Sequence, residues 1–207
     1  GGQVSRAVTG RTALALVAVL AVPQSALAYL KFSLETLRGN VVTLRWSDVP
    51  VRYFVAERGV SGVTPAQFQA AMTRAFATWQ EVPSARVSFE FVGFTGAQPF
   101  EDDSMSVLGF QDHDEPELDR VLGATGFTVD VLTGEIVESD IFFNTSFNWS
   151  VSGTGQAGRF DLESVALHEV GHFLGLGHSA LGETEALPEG GRRVSASGAV
   201  MVPISFW

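Results

Sequence analysis

The chain has 207 residues, 45% of them hydrophobic, and its 16 Phe and 4 Trp can fill the core of one domain of ordinary size. A formal net charge of -10 argues against nucleic acid and against anionic membrane surfaces as partners. The absence of cysteine removes disulfides, thiolate metal ligands and thiol nucleophiles together.

At the N-terminus, Arg6 and Arg11 precede an apolar run from Ala13 to Val22, which Pro23 ends. Ser25-Ala26-Leu27-Ala28 then puts small residues at the two positions a signal peptidase reads. The run is short for a membrane span. Residues 1–28 are therefore expected to be a signal peptide cleaved after Ala28, giving a secreted chain with no stable membrane association. An uncleaved anchor displaying the same domain is the alternative. With no initiator Met, the sequence reads as a fragment at its front end. Residues 29–40 form a short lead, and 41–207 one domain, since no repeat or low-complexity linker divides them.

Val51–Val55 is the first predicted strand. Thr64, Pro65 and Gln67 mark a helix start, with Thr64 as N-cap, Pro65 at the first helical position and Gln67 closing a capping box. Phe68, Ala71, Met72, Ala75, Phe76 and Trp79 recur at spacings of three and four and form one apolar stripe. Pro83 marks the stop. Arg86 to Val92 alternates, with Val87, Phe89 and Phe91 on one face of a strand. Ser104–Phe110 is predicted as another strand. The acidic stretches Glu101–Asp103 and Asp112–Glu117 read as a solvated loop or as a calcium site. Val121–Val129 and Ile136–Phe143 are predicted strands joined through a turn at Leu132, Thr133 and Gly134. After the Gly-rich loop 153–158, Asp161 is placed to cap a second helix, with Glu163 complementing its dipole. The pattern is α+β.

The stretch His168-Glu169-Val170-Gly171-His172-Phe173-Leu174-Gly175-Leu176-Gly177-His178 carries the chemistry. Helix residues four apart differ by about 40° in direction and about 6 Å in height, so His168 and His172 can aim at one point. Glu169 is rotated by about 100° and reaches a metal-bound water more easily than the metal. A helix continued to His178 would carry it about 15 Å from His168, facing another way. A three-histidine site therefore requires the helix to end after His172, and Gly175 stands where a left-handed C-cap would turn the chain. Three nitrogen ligands leave an open corner, as in a catalytic zinc site. Such an ion acidifies its water and polarises a carbonyl, with Glu169 as the general base. The expected activity is peptide hydrolysis by a metalloendopeptidase. The competing reading is a secreted, non-catalytic zinc-binding recognition domain, disfavoured by the presence of Glu169.

These residues resemble the metzincin metallopeptidases, whose signature is HExxHxxGxxH followed by a methionine-containing turn. The resemblance implies zinc ligands at His168, His172 and His178, a general base at Glu169 and a turn glycine at Gly175. Ser179, directly after the third histidine, is similar to the matrixin branch. Ala199-Val200-Met201-Val202-Pro203 resembles the matrixin Met-turn, which would put Met201 beneath the zinc and Pro203 in the wall of the specificity pocket. Val121-Leu122-Gly123-Ala124 falls where such enzymes keep the edge strand above the cleft, so Leu122, Gly123 and Ala124 are candidates to bind an extended peptide. A pocket lined by Leu167, Val200 and Pro203 would suit an apolar side chain after the scissile bond. The implied fold is a zincin fold, a twisted mixed sheet packed on two long helices. The expected protein is a monomer acting on peptide or protein.

Three departures from the family follow. His113 is the one histidine outside the motif, so no second zinc is expected, and Asp112, Asp114 and Glu115 serve calcium or no ligand. A cysteine-bearing propeptide cannot exist in a cysteine-free chain. The chain stops at Trp207, soon after the Met-turn, and reads as truncated where the family continues into a last helix.

Overall fold

The computed structural model describes residues 31–36, 39–178, 184–186 and 192–194. The expected leader 1–28 and the expected Met-turn, Met201 and Pro203 included, lie outside the described residues.

The first elements are short: β1 (Ser33–Glu35) and β2 (Val41–Thr43) form an antiparallel pair. Neither shows enough alternation to be read as a strand from sequence. β3 (Val51–Ala56) follows, buried at Val51, Tyr53, Val55 and Ala56. Helix α1 (Pro65–Gln80) begins as predicted. Thr64 accepts from the Gln67 amide, and the Gln67 side chain accepts from the Thr64 amide. Phe68, Ala71, Met72, Ala75 and Phe76 are all buried. Trp79 closes the stripe half-buried, its indole N–H bonded to the Leu167 carbonyl on the second helix.

β4 (Phe89–Thr95) begins three residues later than the alternation suggests and runs three further. Its register is set by parallel pairing with β3, from Val51 opposite Phe89 to Ala56 opposite Thr95. β5 (Val107–Gln111) likewise starts after Ser104, whose φ of 63° is incompatible with a strand. β6 (Gly123–Val129) and β7 (Ile136–Asn144) are the predicted hairpin, turning at Gly134 with φ 72°. β8 (Trp149–Ser150) pairs with β9 (Phe160–Asp161), which leads directly into α2 (Leu162–Phe173). A last hairpin joins β10 (Thr184–Ala186) and β11 (Arg192–Val194).

One five-stranded sheet, in the order β4-β3-β5-β7-β6, organises these pieces. All its pairings are parallel except β6 on β7. Both helices share the core on one face of it. Phe68 of α1 packs edge-on against Phe110 and Phe143. Phe76 meets Tyr53, Phe89 and Phe173 of α2. Phe68, Phe76, Phe110, Phe143 and Phe173, all fully buried, each contribute about 1.5–3 kcal/mol from removal of apolar surface from water, and Phe89, partly buried, less. The opposite face of β7 carries Glu138, Asp140 and Phe142, all buried. The β4–β5 connection lies over it: the Phe100 amide in that connection and the Val107 amide at the start of β5 both donate to the Asp140 carboxylate. No helix among the described residues is long and apolar enough to cross a membrane.

Candidate metal centre

Helix α2 starts at Asp161, whose carboxylate accepts from the Ser164 amide at 2.8 Å, and Glu163 occupies its first turn. Leu162, Val165, Ala166, Val170 and Phe173 bury one face in the core. His168 and Glu169 are also buried, each 5% exposed. The helix ends at Phe173. Gly175 takes φ 84°, its amide donates to the His172 carbonyl, and the Leu176 amide donates to the Gly171 carbonyl. These two bonds are a Schellman termination, which reverses the chain. The site requires that reversal.

The reversal returns His178 to the helix. Nε2 of His178 lies 3.2 Å from Nε2 of His168 and 3.2 Å from Nε2 of His172. Ligands about 2.0–2.1 Å from a tetrahedral zinc would stand about 3.3–3.4 Å apart, so the donor set fits such an ion. The ring states agree. Nδ1 of His172 is 2.7 Å from the Leu176 carbonyl and donates to it, which leaves Nε2 as a lone-pair donor. Burial lowers the pKa of His172 to about 3 and that of His178 to about 4, so both rings are neutral near pH 7. Among the described residues this is the only group of three His, Cys, Asp or Glu side chains placed to hold a metal.

Glu169 stands outside that group and faces β6. Its Oε2 accepts 2.7 Å from the Thr125 hydroxyl, and its main-chain carbonyl lies 3.2 Å from the same oxygen. A Cβ at Gly123 would come within 3.3 Å of Glu169 Cγ and 3.0 Å of the Phe142 carbonyl, so glycine is what lets strand and helix approach. Burial raises the Glu169 pKa to about 7, with the Thr125 hydrogen bond opposing the shift. Thr125 had no motif to announce it. The one signal was its position two residues past Gly123, on the same side of the strand.

The predicted β6 residues divide. Gly123 and Ala124 lie on the edge strand of the sheet, Ala124 half-buried opposite Phe142. Leu122 precedes the strand, and its side chain is in the hydrophobic core at 6% exposure, while its carbonyl accepts from Asn144. Its side chain is thus core packing and is not presented to a ligand. In the acidic stretch, Asp112 is bonded to Thr145 and Arg58, which together lower its pKa. His113 accepts at Nε2 from the Asn144 amide and bonds the Glu115 carbonyl through Nδ1. This arrangement employs Asp112 and His113 in protein contacts.

A family model described as Matrixin matches residues 45–186, a span containing the five-stranded sheet, both helices and the three converging histidines. The chain belongs to the matrixin family. Among its curated relatives, Metalloendoproteinase 2-MMP of Arabidopsis thaliana is 32% identical over 59% of this chain and 31% of its own length. Metalloendoproteinase 1 of Glycine max is 31% identical over 55% of this chain and 35% of its own. Matrix metalloproteinase-16 of Rattus norvegicus is 26% identical over 76% of this chain and 26% of its own. The matched part of this matrixin thus spans roughly a third of those relatives. The family is one of zinc metalloendopeptidases, and its fold is that of the metzincins.

Proposed function

We propose that this matrixin is a secreted endopeptidase whose His168, His172 and His178 hold one zinc ion and whose Glu169 is the general base. The observation that carries this reading is the meeting of three imidazole Nε2 atoms beside a buried carboxylate on the same helix. When bound, the ion supplies Lewis-acid polarisation of a peptide carbonyl and acidification of water. Glu169, with a pKa raised to about 7, is suited both to take a proton from the attacking water and to pass it to the leaving amine.

The substrate lies along the free edge of β6. β7 occupies one side of that strand, and a peptide added to the other would bond through its backbone. Gly123 and Thr125 both touch Glu169, so a peptide on that edge passes the carboxylate. Gly123 thereby offers its backbone to the peptide, while Ala124, paired with Phe142 of β7, lines the same edge. Met201 beneath the metal and Pro203 in the specificity pocket complete the reading from family resemblance. Cleavage after Ala28 would give a mature chain from Tyr29, with the catalytic domain running from residue 41, and a monomer suffices for the chemistry.

Glu169→Ala tests the assignment. The variant is expected to keep one zinc per chain and lose casein hydrolysis by about 10²- to 10⁴-fold. Undiminished cleavage refutes the role of Glu169. Zinc binding without hydrolysis by the unaltered protein would instead favour a recognition domain.

A further inference from the structure

The segment ahead of residue 45 lies outside the matched family region, yet it reaches the histidine cluster. Lys31 forms an antiparallel bridge with Leu176, and the Phe32 amide donates to the Gly175 carbonyl at 2.8 Å. The Phe32 carbonyl accepts from the Leu44 amide at 2.9 Å, so both main-chain polar groups of Phe32 are committed. Leu44 in turn sits so close to the turn that a Cβ at Gly175 would meet its carbonyl oxygen at 2.9 Å. The segment therefore clasps the turn that carries the chain from His172 to His178.

Phe32 adds a side-chain contact to that clasp. Its ring lies 5.5 Å from the His172 imidazole at an interplanar angle of 30°, and 5.7 Å edge-on from Phe127 of β6. His172 is thus held on two sides. Its Nδ1 is fixed by Leu176, a residue of the clasped turn, and its ring lies against Phe32. Its Nε2 is left aimed at His178. A ring restrained in this way loses little further freedom when Nε2 takes a ligand, which is how neighbours beyond the ligands raise affinity.

We propose that Phe32 is a positioning residue for the metal centre, its ring and backbone presetting His172 and the Gly175–Leu176 turn for zinc. This rests on the reading that the three histidines bind zinc. It assigns Lys31, Phe32 and Leu44 to the working site.

The experiment is zinc affinity of the full chain by competition with a chromophoric chelator, paired with the visible absorption spectrum of the cobalt(II)-loaded protein. Phe32→Ala is expected to weaken zinc about tenfold and to change the cobalt spectrum. Phe32→Tyr, which keeps the flat ring, should stay within about twofold of the unaltered protein. Should Phe32→Ala not fold, Phe32→Leu keeps the apolar bulk, removes the flat face and is expected to weaken zinc in the same direction. Val41→Ala, on the same hairpin at 70% exposure, controls for general loosening and should leave zinc affinity and spectrum unchanged. Wild-type affinity and spectrum in a folded Phe32→Ala or Phe32→Leu variant overturn the proposal, as does an equal loss in Val41→Ala. Failure of the unaltered protein to bind zinc overturns the underlying assignment of the histidines, a result distinct from either.

Discussion

The Thr125 hydroxyl donates a 2.7 Å hydrogen bond to Oε2 of Glu169, joining the edge strand β6 to the helix that carries the histidines. A buried carboxylate with one short hydroxyl donor has a defined orientation, and that donor favours its charged form.

Thr125→Val removes the donor with little change in shape. The expected result is a loss of about tenfold in kcat, the scale of one hydrogen bond to a charged group, with KM and zinc content nearly unchanged. Thr125→Ser should restore most of the loss. Steady-state kinetics on a peptide substrate check this, and equal losses in both variants would show that the hydroxyl is not responsible.

Gly175 combines a φ of 84° with a contact that admits no side chain, since a Cβ would stand 2.9 Å from the Leu44 carbonyl oxygen. Gly175→Ala is expected to cost about 1–2 kcal/mol for the left-handed conformation alone, and more from the clash. Urea unfolding measures the first effect. Zinc stoichiometry should fall as well, because the same turn delivers His178. Unchanged stability would mean that the chain reverses by another geometry.

Zinc that binds the folded chain and not the unfolded one stabilises it, by about 2.7 kcal/mol at a free concentration of one hundred times Kd. Thermal unfolding with and without a chelator should show this shift in the unaltered protein and in Glu169→Ala. His172→Ala and His178→Ala should abolish it. A full shift in either histidine variant would remove that residue from the ligand set.

Glu138 and Asp140 point to a pH effect away from the metal. They are 4% and 3% exposed. Burial is the main cause for both; repulsion from Asp140 and Asp103 adds to it at Glu138, and repulsion from Asp103 and Glu101 at Asp140, raising the pKa values to about 7 and about 6. In the unfolded chain each titrates near 4. The folded state therefore holds more protons between those limits, and the stability this provides is complete below about pH 4 and lost as pH rises through 6 to 7. In the metal-free protein the lowered pKa values of His172 and His178 act in the opposite direction, so the test is the difference between variant and unaltered protein: Glu138→Gln should gain urea stability relative to the unaltered protein as pH rises from about 5 to about 7.5. A difference that stays constant or shrinks over that interval would contradict the assignment.

Much of this architecture is local and was readable in the chain. The capping box at Thr64 and Gln67, the stripe from Phe68 to Trp79 and the Asp161 cap are each settled within a few turns of helix, where side chains three and four apart share a face. The helix end at Gly175 was likewise legible, because three histidines can meet only if the chain turns there. Strand limits were less so. β4 starts at Phe89 and not at Arg86 because its pairing with β3, and not its own alternation, sets the register.

What sequence alone determined was the cluster: the convergence of His168, His172 and His178, with Glu169 beside them on the helix, follows from the helical repeat and one glycine. Tertiary structure alone decided what surrounds them. Thr125 reaches Glu169 across 44 positions, and Phe32 reaches His172 across an interval no periodicity spans. The packing of β6 against α2, with Gly123 open to Glu169, and the hairpin closing on the Gly175 turn bring these side chains together. Contacts of this kind join elements far apart along the chain, so no window of the sequence encodes them by itself.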